Sequence, residues 1–175
     1  MIFTKKFAVQ SIWLFLLLFS AHLTVAAQTK PEILTGDSLK RIVPTSFYFA
    51  GQSAVTQERN TAAAKLGTDR YVIVGLVDTS GYSTEISGKY EGFFITDSPV
   101  KIGDKELNTG AYGFGFAKDN KVNIFDLSSK QILSVSTTTD AEMKRPRPLM
   151  MIGDNKSVRL YKGKFYVVIS AKDSK

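Results

Sequence analysis

The strongest constraint on the fold is the sequence pattern from Tyr90 onward, where short apolar segments alternate with turn signals roughly every eight to twelve residues. Glycine, asparagine and aspartate tolerate positive φ and therefore favour tight hairpin turns. Such turns are predicted at Gly103-Asp104-Lys105, Lys118-Asp119-Asn120, Gly153-Asp154-Asn155 and Lys162-Gly163-Lys164. This spacing is typical of a β-sandwich or a β-barrel.

The apolar segments predict strands near residues 90–96, 99–102, 111–116, 121–126, 131–137, 149–152, 157–161 and 165–170. Upstream, Ser46–Ala50 predicts another strand, and Tyr71–Val77 predicts a central strand because it is apolar without alternation. The predicted fold class is therefore mainly β, an antiparallel sandwich or barrel-like sheet.

One packed α-helix is predicted over Ser53–Leu66. This segment contains three consecutive alanines, Ser53 or Thr56 can cap its start, and Gly67 suits its end. The N-terminal order of strand, helix and strand leaves α+β as the alternative fold class.

The first 27 residues contain the parts of a signal peptide in order. Lys5 and Lys6 precede the apolar run Ile12–Phe19, and small residues end at Ala27, after which cleavage is predicted. An uncleaved single-pass anchor is the alternative. The chain is thus expected to be exported, either periplasmic or secreted, with no membrane span after the signal is removed. An exported chain without cysteine suits a bacterial envelope.

The sequence predicts three segments: a signal peptide over residues 1–27, a lead with a short helix over residues 28–44, and a single β-rich domain over residues 45–175. The start of the lead, Gln28–Ile33, is expected to be a spacer without fixed structure. Thr35 or Asp37 is expected to cap the short helix before Pro44.

The composition of the exported part argues against several kinds of chemistry. The chain has no cysteine, and its only histidine, His22, lies in the predicted signal peptide. Catalysis by Ser-His-Asp or Cys-His groups, thiolate or imidazole zinc sites and thiol redox reactions are therefore not expected. No cofactor and no metal are predicted.

Removal of the two leader lysines lowers the formal net charge from +7 to +5. The remaining basic residues are scattered among acidic ones, whereas a nucleic-acid-binding protein gathers them on one face. No nucleic-acid partner is expected.

Two short motifs imitate active sites. Asp78-Thr79-Ser80-Gly81 is similar to the catalytic turn of aspartic proteases, but an extra residue separates Asp78 from Gly81, so a capped turn is the favoured interpretation. Ser98 and Lys101 have the spacing of penicillin-recognising enzymes, but Pro99 disfavours the helix that this pair requires.

The segment Gly110–Phe116 alternates aromatic and small residues. In a strand, Tyr112, Phe114 and Phe116 share one face, and the glycines share the other. Core packing is the favoured interpretation of the aromatic residues, and a ligand shelf is the alternative.

The run Lys144–Pro148 places a proline after each of two arginines. The prolines favour an extended backbone, so Arg145 and Arg147 are expected to project together toward a carboxylate or phosphate. Arg59, on the apolar stripe of the predicted helix, is a further candidate. The predicted ligand-binding residues are Arg145, Arg147, Arg59, Tyr112, Phe114 and Phe116.

The order of turn and strand residues in Gly103–Tyr112, together with the late segment Arg159–Val168, resembles that of uncharacterised exported bacterial β-rich proteins. The resemblance covers roughly the C-terminal half of the chain. It implies a β-rich fold and no particular activity.

These observations predict an exported, non-enzymatic binding domain for a small molecule, a lipid or an anionic envelope component. A structural or protein-interaction module of the bacterial envelope is the alternative. A carboxylate-dependent hydrolase is less favoured, because no carboxylate pair stands out as buried.

Overall fold

The computed structural model describes residues 30–172, and the predicted signal peptide lies outside them. Along the chain the strands are β1 (Glu32–Leu34), β2 (Ser46–Phe49), β3 (Gln52–Lys65), β4 (Tyr71–Val77), β5 (Gly92–Thr96), β6 (Val100–Ile102), β7 (Lys105–Leu107), β8 (Gly110–Ala117), β9 (Lys121–Phe125), β10 (Gln131–Ser136), β11 (Thr138–Thr139), β12 (Arg147–Asp154), β13 (Ser157–Gly163) and β14 (Phe165–Ala171). The helices of this part of the chain are α1 (Gly36–Lys40) and α2 (Thr84–Ser87).

The strands form two antiparallel sheets packed as a sandwich, which confirms the mainly β fold class. The first sheet has the order β1-β3-β4-β5-β8-β9-β10, and β2 pairs with the N-terminal part of β3. The second sheet has the order β12-β13-β14-β6-β7, and β11 pairs with β14. The sheet is not a closed barrel.

The strand predictions from Tyr90 onward are confirmed, since each predicted segment overlaps a strand whose ends lie within two residues of it. Three of the four turn predictions are confirmed, and the fourth is shifted, because Gly153 and Asp154 belong to β12 and the turn falls at Asn155 and Lys156. Gly103, Asn120 and Gly163 have φ values of 59°, 59° and 61°, which glycine and asparagine tolerate best. Strand β4 coincides with the predicted central strand and lies between β3 and β5.

The predicted helix over Ser53–Leu66 is wrong, because this segment is strand β3. Ala54 and Thr56 are buried, whereas Val55 between them is 68% exposed, which is the alternation of a strand. The alanine run is buried on both faces between β1 and β4. Pairing with two neighbouring strands outweighs the helix propensity of alanine, which is a weak preference. The sandwich therefore lacks the predicted packed helix, since neither α1 nor α2 buries a residue.

The N-terminal lead is partly ordered. Glu32–Leu34 pairs with Ala63–Lys65 of β3, so the prediction of an unstructured spacer is wrong at its end. Helix α1 confirms the predicted short helix, with Thr35 at its N-cap position, although the Thr35 side chain makes no capping hydrogen bond.

Apolar side chains fill two separate regions. The core between the sheets includes Val74, Phe94, Phe114, Leu160 and Ile169. On the outer face of the first sheet lies a second group, here called the covered aromatic cluster: Phe47, Phe49, Ala54, Val77, Tyr82, Tyr90, Phe93 and Phe125. The hairpin of β2 and β3 contributes Phe47 and Phe49 to this cluster and covers it.

Strand β8 contributes Phe114 to the first region and borders the second with its glycines. Phe114 is fully buried in the core between the sheets, which agrees with the favoured interpretation of the aromatic face. The glycine face is occupied by other parts of the chain. A Cβ atom on Gly113 would lie 2.3 Å from the Phe49 ring, and one on Gly115 would lie 2.0 Å from the Lys89 carbonyl oxygen. No room for a ligand is therefore left at Gly113 and Gly115.

Candidate functional site

A cavity of about 860 Å³ opens at one end of the sandwich. We call it the mouth cavity. Its lining comes from four places: the end of β8 and the turn to β9, Thr137 and Thr139 near β11, the loop that enters β12, and the turn between β13 and β14. The lining residues are Phe116, Ala117, Lys118, Asn120, Thr137, Thr139, Pro146, Arg147, Pro148, Lys162, Gly163, Lys164 and Phe165.

Strand alternation explains which side chains enter this cavity. Phe116, Lys162 and Phe165 share a face with residues two positions further in, and those residues belong to the buried core between the sheets. The inner residues are Phe114, Leu160 and Val167. Phe116, Lys162 and Phe165 are the last members of these three stripes, and all three line the cavity.

Apolar surface remains exposed in the mouth cavity. Phe165 is 38% exposed, and Phe116 is half-buried, with its ring edge-on to Phe114 at a centroid distance of 6.2 Å. Pro146 and Pro148 add rigid apolar surface at the rim. These side chains offer contacts to the apolar part of a ligand.

The charged side chains of the lining are all cations: Lys118, Arg147, Lys162 and Lys164. Within residues 30–172, Lys118, Arg147 and Lys164 take part in none of the ion pairs. The cavity therefore carries an excess of positive charge that the described part of the chain does not neutralise.

Lys162 differs from the other three cations because it is paired. Its Nζ contacts Glu91 Oε1, and the two side chains are 35% and 27% exposed. Glu91 Oε2 also accepts a hydrogen bond from the Phe116 backbone N–H at 2.9 Å. The Lys162 Nζ lies 5.9 Å from the centroid of the Phe116 ring. The Glu91 carboxylate thus joins the two sheets beside the mouth cavity.

The structure brings two of the six predicted ligand-binding residues together, since Phe116 and Arg147 both line the mouth cavity. The other four lie outside its lining. Arg145 is exposed in the adjacent loop, Phe114 is buried, and the Tyr112 hydroxyl donates a hydrogen bond to the Asn108 carbonyl at 3.0 Å. Arg59 is exposed on β3, so the helix stripe proposed for it does not exist.

Sequence reasoning missed Glu91, Lys162 and Phe165. Lys162 belongs to a turn that was predicted, and Phe165 begins a strand that was predicted. Their distance in sequence from β8 hides the contact, because only the stacking of the two sheets brings β13 and β14 opposite Phe116.

The two motifs that imitate active sites lack the geometry of those sites. Asp78 Oδ1 accepts a hydrogen bond from the Ser80 backbone N–H at 3.0 Å, which forms the predicted capped turn. This hydrogen bond lowers the pKa of the Asp78 carboxyl. Lys101 lies in strand β6 and is exposed, so it lacks the helical geometry that the Ser98 motif would need.

No group of three or more acidic, histidine or cysteine side chains is placed to hold a metal ion in residues 30–172. In the same residues, no helix is long and apolar enough to cross a membrane.

Comparison with protein-family models, with curated proteins and with solved structures gave no match. The candidate site is therefore argued from its own geometry.

Proposed function

We propose that this chain is an exported, non-enzymatic binding domain and that the mouth cavity holds a small amphipathic molecule with an anionic group. One observation carries the proposal: exposed aromatic surface and unpaired cations meet in a single cavity. A closed apolar core would leave no cavity. A charged surface would not explain why the aromatic side chains of Phe116 and Phe165 are only partly buried.

The volume of the cavity supports a small-molecule ligand. Sites for small molecules typically occupy about 300–1,000 Å³ and combine an apolar lining with a few polar groups. The mouth cavity, at about 860 Å³, falls within this range. Its lining is mostly apolar or uncharged, and its cations supply the few orienting groups.

The charge of the cavity supports an anionic group on the ligand. Arg147 has a planar guanidinium that can donate two parallel hydrogen bonds to a carboxylate or a phosphate. Pro146 and Pro148 flank it and restrict its backbone, which reduces the entropy lost when a ligand is held. Lys118 and Lys164 add positive charge at the same cavity.

The lining supports binding rather than hydrolysis. A carboxylate-dependent hydrolase needs an acid and a base facing the same substrate atom. The lining residues include no aspartate and no glutamate, and nearby Glu91 is paired with Lys162. The proposal of export rests on the N-terminal sequence alone, which contains the parts of a signal peptide.

Native mass spectrometry tests this proposal on the full chain purified from the cells that produce it naturally. We expect wild-type protein to carry a co-purified small molecule, and the double variant Arg147→Ala/Phe165→Ala to lose it. Arg59→Ala is the matched control, because Arg59 is also exposed but lies outside the cavity lining. A ligand retained equally by the double variant would place binding elsewhere, and wild-type protein without any added mass would count against a binding domain.

A further inference from the structure

The ion pair between Glu91 and Lys162 indicates which anions the mouth cavity accepts. We call this selectivity the charge rule. We infer that the ligand is a single-chain amphiphile with one anionic group, held by Arg147 and its neighbouring rim cations, and that Glu91 excludes a second anionic group. This inference rests on the proposed binding function and defines its ligand class.

The cations of the cavity fall into two sets. Lys118, Lys164 and Arg147 are exposed and have no ion-pair partner within the described residues. Lys162 is only partly exposed, shares its strand face with Leu160 of the buried core, and has its charge matched by Glu91. An anionic group therefore meets uncompensated positive charge at the exposed cations and a neutral ion pair at the partly buried one.

The aromatic rings are placed to receive the remainder of such a ligand. Phe116 belongs to the first sheet and Phe165 to the second, and both line the cavity. An alkyl chain between them would extend from the rim cations toward the core, and its burial would contribute about 0.8 kcal/mol for each methylene. A second anionic group on the far end of that chain would lose its hydration beside an ion pair that offers no net attraction.

Glu91 is held in place independently of Lys162. Its Oε2 accepts the Phe116 backbone N–H, a bond that the amide oxygen of glutamine can also accept. Glu91→Gln therefore removes the negative charge and keeps an acceptor for this N–H. The variant leaves Lys162 uncompensated inside the cavity, which makes it a direct test of the charge rule.

Three eight-carbon probes carry one, two and no negative charges at pH 8: octanoate, octanedioate and 1-octanol. We expect calorimetric titration of the full chain at pH 8 to show octanoate binding at least about tenfold tighter than octanedioate and 1-octanol. In Glu91→Gln, the Kd of octanedioate should fall about tenfold relative to that of octanoate. Glu58→Gln, an exposed carboxylate on β3 outside the cavity lining, controls for the change in net charge.

Each outcome separates the ligand class from the binding function. Binding of all three probes with equal affinity, lost in Phe165→Ala, would keep the cavity as a binding site and overturn the charge rule. An unchanged ratio between the two anions in Glu91→Gln would also overturn it. If this variant does not fold, the probe order on wild-type protein and the selective loss of octanoate binding in Arg147→Ala remain decisive. No binding of any probe would overturn the inference, whereas a co-purified molecule of another class would still support the binding function.

Discussion

The covered aromatic cluster and the mouth cavity are two aromatic regions built partly from the same strand, yet only one is open. In the cluster, Phe49 stacks on Tyr90 at a centroid distance of 3.9 Å, and the hairpin of β2 and β3 closes the region. At the mouth, Phe116 and Phe165 have no such cover and share their space with cations. The two regions lie on opposite faces of β8.

This difference shows that aromatic residues in a strand do not by themselves identify a ligand site. The decisive feature is whether another part of the chain covers them. The glycines of β8 admit the Phe49 ring and the Lys89 backbone on one face, so the first region is filled. On the other face the aromatic stripe continues past the end of the core, and the second region stays open.

The largest expected effect comes from the same substitution made in both regions. Phe49→Ala should lower the free energy of unfolding by about 3–5 kcal/mol, because Phe49 is fully buried. Its ring also attaches the β2–β3 hairpin, here called the cover, to the rest of the cluster. Phe165→Ala should lower this free energy by only about 1–2 kcal/mol, because the residue is already 38% exposed. Urea unfolding measures both. Equal losses would mean that the mouth is part of the core rather than a site.

A smaller effect is expected from filling the space that the Lys89 backbone occupies beside β8. Gly115→Ala should destabilise the fold by about 1–3 kcal/mol, since the new methyl group would meet the Lys89 backbone carbonyl, which cannot rotate away. Gly153→Ala in β12 is the matched strand control, because the nearest atom would lie 3.5 Å from its Cβ. Its effect should stay within about 0.5 kcal/mol. Thermal and urea unfolding measure the stability of both variants. Equal stability of the two would contradict this explanation.

The fold could be predicted from the sequence wherever the signals were local. The turns at Gly103 and Gly163 and the strands after Tyr90 follow from residues close together in the chain. The prediction failed at β3, because alanine favours helix in isolation and only the flanking strands β1 and β4 show why small residues are needed there.

The candidate site was only partly predictable for a similar reason. Arg147 stood out through its flanking prolines and Phe116 through alternation, and both are local patterns. Lys162 and Glu91 are 71 positions apart, and no local pattern indicates that they pair across the two sheets. The charge of a cavity depends on such contacts, so it became visible only with the sandwich assembled.

The smallest expected effect concerns how the cover is attached, through the turn after β9. Asp126 Oδ1 accepts hydrogen bonds from the Ser128 hydroxyl and from the backbone N–H groups of Ser128 and Lys130. These bonds, led by the Ser128 hydroxyl, lower the pKa of Asp126 below its ordinary value. The carbonyl of Leu127 in this turn accepts the Ala50 N–H at 2.9 Å and so holds the tip of the hairpin.

A carboxyl whose pKa is lowered by folding stabilises the protein above its unfolded pKa, and that contribution is lost as the pH falls through the folded pKa. Asp126→Asn should therefore flatten the acid side of the stability curve below about pH 4. Hydrogen exchange at Ala50 near neutral pH should quicken only about a few-fold, because a local opening and not global unfolding is affected. Asp104→Asn, in another exposed turn, is the control. An unchanged Ala50 exchange rate in Asp126→Asn would mean that the hairpin is held by Phe47 and Phe49 alone, and the cover would then be attached entirely through its aromatic contacts.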